Sequence, residues 1–302
     1  MLEDGQPGAT EPGRGQSDEV GLFMAECSAR RVLVGALSAL ILVAGCGGGN
    51  REVPLESRSA QSIYTQAEYE LEENRDPEEA ARLFGEVERL YPYSDWAKRA
   101  LIMQAFAYHR DRDYENSRAT AQRYIDFFPA DEDAAYAQYL LALSYYDQID
   151  LVGRDQGLTF QALQALRTVI ERYPDSEYAK SAILKFDLAF DHLAAKEMEI
   201  GRYYHKRGHF SAAINRFRVV VEDFQTTTHT AEALFRLVEA YLSLGLDDEA
   251  QTAGAILGHN FQSTEWYADA FDLLKGRGLA PEARGTSWLR TVYRQMIKGQ
   301  WL

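Results

Sequence analysis

QSIYTQAEYELEENRDPEEAARLFGEVERLYP, residues 61–92, decides the fold. It closes on Tyr91-Pro92, and the same aromatic–Pro pair returns at Phe128-Pro129 and Tyr173-Pro174, 37 and 45 residues further on. Only eight prolines occur in 302 residues, so three in one context act as punctuation. A proline cannot continue the helix before it, and it biases the preceding residue away from helical geometry. Each pair ends one amphipathic helical pattern and stands a few residues ahead of the next. Helix–turn–helix text with a period in the thirties predicts an all-α solenoid, in which no unit can bury its apolar face without a stacked neighbour.

The pattern resembles the tetratricopeptide repeat, which has a small residue at position 8, an aromatic at 11, Ala at 20, an aromatic at 24 and Pro at 32. Counted from Gln61, Leu71, Ala80, Phe84, Val87 and Pro92 fill positions 11, 20, 24, 27 and 32. A second unit from Lys98 supplies Ala105, Tyr108, Ser117, Ala121, Tyr124 and Pro129, and a third supplies Ala142, Tyr145, Ala162, Leu166, Val169 and Pro174 around a longer turn near Ile149–Gly157. Gly201, Tyr204, Ala213, Phe217 and Val220 make a fourth unit, and Tyr241, Ala250, Gly254 and Leu257 a weaker fifth. Residues 59–264 therefore read as five units. One unusually long helix is expected between Ser176 and Arg207, with Gly208 as its stop. Residues 265–302 read as an extension in which the repeat fails and a short amphipathic helix over Ser287–Lys298 caps the stack.

Ahead of the repeats stands a different kind of segment. Arg30 and Arg31 precede 13 residues without charge, Val32 to Ala44, and the string ends Leu42-Val43-Ala44-Gly45-Cys46. The run is short for a membrane span of roughly 20 residues, but it has the basic, apolar and small-residue parts of a secretory signal. Its end resembles the lipobox of bacterial lipoproteins, which makes Cys46 the lipid-attachment site and residues 24–45 the signal peptide. Residues 1–23 match no signal and read as lying upstream of the true start at Met24. Residues 46–58 lack a hydrophobic period and read as a flexible tether. Gly47 stands where an Asp would favour inner-membrane retention, so the expected address is the outer membrane.

Removing residues 1–45 leaves 29 basic and 40 acidic side chains, a net charge of about −11. That balance argues against nucleic acid, whose binding needs a basic footprint. The other cysteine, Cys27, falls in the removed segment, so no disulfide is expected. Of six histidines only His205 and His209 have an i,i+4 spacing, and Gly208 between them argues for solvated turn histidines and no metal. Asp247-Asp248-Glu249 suits a helix N-terminus better than paired acid chemistry. No nucleophile elbow, P-loop or dinucleotide fingerprint occurs, so neither cofactor nor catalytic site is expected.

Binding is better supported. Positions 5, 9 and 12 of the first helices are Thr65, Tyr69 and Glu72, then Ile102, Phe106 and His109, then Tyr139, Leu143 and Tyr146. Rings on a stripe displaced from the packing face suit an extended peptide containing aromatic residues. They equally suit packing against a neighbouring helix.

Lipobox, Glu52-Val53-Pro54 tether, five repeats, long helix and the runs Tyr203-Tyr204-x-x-Arg207-Gly208 and Ala213-Ile214-Asn215-Arg216-Phe217 occur in this order. Together they resemble the BamD family, lipoproteins of the outer-membrane β-barrel assembly machinery, over roughly residues 46–261. The resemblance implies a non-enzymatic scaffold at the periplasmic face of the outer membrane, held by its N-terminal lipid. Implied partners are the POTRA region of the barrel subunit BamA, other subunits of the complex, and unfolded barrel proteins. It assigns Arg216 and Arg207 to the BamA side and Tyr91, with Pro92, to substrate recognition beside Tyr69, Ile102, Phe106, Tyr139 and Tyr146. Arg216 could instead pair locally with Glu222 or Glu199. The alternative function is an outer-membrane repeat lipoprotein that scaffolds peptidoglycan enzymes.

Overall fold

The computed structural model describes residues 54–298. Cys46, the signal segment and most of the tether lie outside them. After a 3₁₀ turn at Leu55–Ser57 come twelve α-helices among the described residues. They are α1 (Ala60–Glu72), α2 (Pro77–Leu90), α3 (Asp95–Arg110), α4 (Tyr114–Phe127), α5 (Ala134–Tyr146), α6 (Gly157–Arg172), α7 (Glu177–Lys206), α8 (Phe210–Asp223), α9 (Thr230–Leu244), α10 (Asp247–Asn260), α11 (Glu265–Gly276) and α12 (Trp288–Lys298). The all-α, helix–turn–helix reading holds. Each helix from α1 to α10 packs on the next, α12 packs on α10, and the first helices of neighbouring pairs also touch, α1 with α3, α3 with α5 and α5 with α7.

Local chemistry starts and stops these helices. Ser59, Asp76, Ser94 and Asp113 each accept a hydrogen bond from the backbone N–H three residues on, satisfying a donor that the first turn leaves free. In the first, second, fourth and fifth pairs, the turn within the pair carries one left-handed residue. Gly208 and Gly245 supply it with φ of 74° and 73°. Arg75 and Arg112 adopt the same region, φ 56° and 64°, despite carrying a Cβ.

Between pairs the turn is more regular than the prolines suggest. Tyr91, Phe128, Tyr173, Phe224 and Phe261 each cap a helix by donating their N–H to the carbonyl four residues back. Each carbonyl then accepts from the N–H of the residue three on: Ser94, Asp131, Ser176, Thr227 or Thr264. Three of these turns contain Pro and two contain Gln.

The last of them launches α11, a helix that the sequence reading did not anticipate. It packs on both α9 and α10, the position of a sixth unit's first helix. Gly254 and Gly258 allow the approach, since a Cβ there would stand 2.7 Å from Leu274 Cδ1 and 2.5 Å from Tyr267 Cε2. α12 then lays Leu289 and Val292 into the core formed by α7 to α10. Trp288 donates to the Tyr241 hydroxyl at 3.1 Å.

The small-residue rule is clearest in the fourth pair, where a Cβ on Gly201 would meet the Phe217 ring at 2.8 Å from Cδ1 and closer at Cε1. α7 belongs to two cores. Ala182 packs with α5 and α6, whereas Ala194 and Met198 pack with α8 and α9.

Candidate functional site

The expected aromatic stripe divides once the helices are stacked. Tyr69 is 55% exposed and flanked by exposed Thr65 and Glu72. Phe106, Tyr139, Leu143 and Tyr146 are half-buried. Ile102 is corrected by the structure. It is only 6% exposed, because that face of α3 turns onto α4 and α5 and joins Leu101, Tyr124 and Leu140 in their core.

Tyr139 stacks on Tyr178 of α7 with ring centroids 5.4 Å apart, and Tyr136 lies 5.1 Å from the same ring. Burial pushes the hydroxyls of Tyr136 and Tyr178 up to about 12, so both rings remain neutral hydrogen-bonding groups. Tyr146 carries the Lys185 ammonium 4.7 Å above its ring, and Arg110 sits 5.7 Å from the Phe106 centroid.

Tyr136 and Tyr178 were missed in the sequence, yet a signal existed. Two residues beyond a capping Ser or Thr stand Trp96, Tyr178 and Trp266, each against a ring of the preceding first helix: Tyr64, Tyr136 and Phe235. This clasp recurs in three pairs and draws part of the aromatic set into packing.

Tyr91 is not free on the turn. Its hydroxyl donates to the Arg58 carbonyl and its ring packs against the first core, while Pro92 remains exposed. The ring therefore fastens residue 58 to the first pair.

At the other end of α7 lies the arginine pair. Arg207 caps the helix, is exposed, and holds its guanidinium 4.3 Å from the centroid of Tyr203, itself exposed. Arg216 on α8 is 43% exposed and reaches Glu197 of α7 at 3.0 Å. Neither expected local partner holds it, since Glu222 sits against Arg218 at 2.7 Å one turn away. One guanidinium nitrogen of Arg216 is thus engaged, and the fork keeps further donors for a carboxylate.

Behind this surface a charged ladder joins α7 to α9. Arg202 donates to Glu232 at 2.8 Å, and Arg236 to Glu239 at 2.7 Å. His205 completes it and is not a solvated turn residue. Its ring packs against Phe210 and Phe217, its buried Nε2 stands 3.8 Å from Glu239, and burial holds its pKa below the ordinary value. His209 is exposed at the start of α8. Asp247, Asp248 and Glu249 form the first turn of α10, facing its N-terminal backbone donors.

Residues 56–256 match the model of the YfiO family, described as outer membrane lipoprotein. The chain is 46% identical over 252 residues to the outer membrane protein assembly factor BamD of Caulobacter vibrioides, covering 83% of this chain and 82% of that one. It is 43% identical over 196 residues to BamD of Rickettsia prowazekii, covering 65% and 78%. BamD of Neisseria meningitidis is 28% identical over 223 residues, covering 70% and 83%. The chain is therefore a member of the YfiO family of outer membrane lipoproteins, with BamD assembly factors among its relatives.

Proposed function

We propose that this protein is a non-enzymatic scaffold of outer-membrane β-barrel assembly, anchored through lipid on Cys46 and facing the periplasm. Several acyl chains, each methylene contributing about 0.8 kcal/mol, make such an anchor effectively permanent. The observation that carries the reading is the placement of two unlike surfaces at the two ends of α7. Its first turn borders the rings of Tyr136, Tyr139 and Tyr178, suited to aromatic side chains of unfolded barrel proteins. Its last turn runs into Arg207, and about two and a half turns earlier Glu197 holds Arg216, both arginines suited to a carboxylate on the periplasmic POTRA region of the barrel subunit BamA.

Copurification tests the arginine end. Arg216→Glu faces Glu197 with a like charge and offers the partner a carboxylate in place of a donor. Recovery of the barrel subunit is expected to fall at least tenfold with an unchanged helical circular dichroism spectrum. Undiminished recovery removes Arg216 from the interface, and recovery of wall hydrolases without the barrel subunit replaces the reading by a peptidoglycan scaffold. A photo-crosslinker at Phe106 or Tyr139 is expected to capture C-terminal peptides of barrel proteins. Capture confined to crosslinkers on α8 to α10 would relocate the substrate surface.

A further inference from the structure

α7 is twice as long as the helix folded against it. Its 30 residues extend about 45 Å, and the 14 residues of α8 about 21 Å. α8 runs back along the second half only. Its capping residue Phe224 meets Phe190 with centroids 4.8 Å apart, and in the following turn Thr228 donates its N–H and hydroxyl to Asp191 at 2.9 and 2.7 Å. The segment Glu177–Ala189 therefore packs on α5 and α6 through Ala179, Ala182 and Ala189 but has no second helix of its own. Where such a helix would lie, Leu184 is 66% exposed and Leu188 61%, with Ile183 beside them.

These side chains form a surface with a definite rim. Leu184, Leu188 and Phe190 line an open groove of about 500 Å³ that ends against Thr226–Thr228. Leu188 also borders a hollow of about 230 Å³ with Tyr146 and Ile149. Asp187 and Asp191 line the groove, which has no basic side chain in its lining; in the hollow Asp150 stands 3.8 Å from Arg154, and the Lys185 ammonium lies over the Tyr146 ring at its edge. His192, the remaining titratable group there besides Tyr146, is held by Gln156 at 3.0 Å. Asp191 is engaged by Thr228 and stands 3.4 Å from His229 Nε2, whereas Asp187 has no ion-pair partner among the described residues.

We propose that the first half of α7 is a docking surface for a cationic amphipathic helix of another protein, seated where the stack omits its own second helix. The length fits, since the second helices of the first, second, fourth and fifth pairs are each 14 residues and the vacant segment spans 13. The sign fits as well. Carboxylates around an apolar stripe favour Lys and Arg flanking a Leu or Phe face, and they disfavour an anionic lipid surface.

Fluorescence anisotropy tests this with the full mature chain and two labelled 14-residue model helices, one of Leu and Lys and one of Leu and Glu with the same apolar pattern. The Leu/Lys helix is expected to bind wild type at least tenfold more tightly than Leu184→Asn/Leu188→Asn, and severalfold more tightly than Asp187→Lys. Leu273→Asn on α11, also exposed, should leave its affinity unchanged, and the Leu/Glu helix should not bind. Both target leucines being exposed, the variants should melt with wild type, and Leu188→Ser alone should retain part of the loss. The proposal is overturned by absence of binding to wild type, by equal affinity for wild type and the double variant, or by equal binding of the two peptides. Self-association that disappears in the double variant would assign the surface to a second copy instead.

Discussion

At single positions, backbone strain and burial decide more than residue type. Arg112 occupies a left-handed turn position that the fourth and fifth pairs give to glycine. Arg112→Gly removes the steric penalty at the cost of a more flexible unfolded chain, so a gain of up to about 1 kcal/mol is expected in urea melts. His205 makes a pH-dependent contribution. Burial lowers its folded pKa below 6.5, so between the two values the unfolded chain binds the extra proton and stability rises with pH. That stability is present above 6.5 and is lost as pH falls through the window. His205→Phe keeps the ring contacts and should lose less melting temperature than wild type between pH 7 and about 5; equal losses would show that the imidazole takes up its proton at the same pH in both states. Neither feature was legible beforehand. The i,i+4 pair His205 and His209 looked alike in sequence, but α7 ends between them: His205 lies on the helix against Phe217, and His209, beyond the left-handed Gly208, is exposed.

Among elements, the helices were legible because their caps and periods are local, and the partners of side chains were not. Small and aromatic repeat positions picked out Gly201 and Phe217, which meet, and the absence of proline between Ser176 and Arg207 predicted the long helix to within a residue at either end. Reading punctuation from Pro alone hid α11. The turn rests on an aromatic cap and a hydrogen-bonding residue three positions on, which Phe261 and Thr264 provide without Pro. Ile102 went astray for a related reason, since spacing along one helix does not say which neighbour its face will meet. A chain ending at Ser263 should test what α11 and α12 contribute. It would uncover Ile256, Leu257 and the Gly254–Gly258 face, and a melting temperature lower by several degrees is expected. An unchanged melt would make both helices accessories to the stack.

Across the molecule, stability is distributed along the series. Separate cores lie in the first pair, around α3 to α5, around α5 to α7, and from α7 to α12. Each pair touches chiefly its neighbours, so order is passed from pair to pair. The family could be recognised from the sequence because the sequential order of motifs survives without structure. The two proposed binding surfaces could be read only in part, because rings needed for clasping the first helices of the pairs and rings left exposed share one composition. α7 is continuous from the core it shares with α5 and α6 to the one it shares with α8 and α9, with Tyr178 in its first turn and Arg207 at its end. With no turn between Tyr178 and Arg207 to absorb a change of angle, the separation of those surfaces is a length of about 43 Å cut from one helix. The protein in that sense carries a gauge: under the proposed function, a client seated at the rings and a partner held at Arg207 would stand at a spacing counted in residues, and adding one residue to α7 would turn the far end by about 100° relative to the near one.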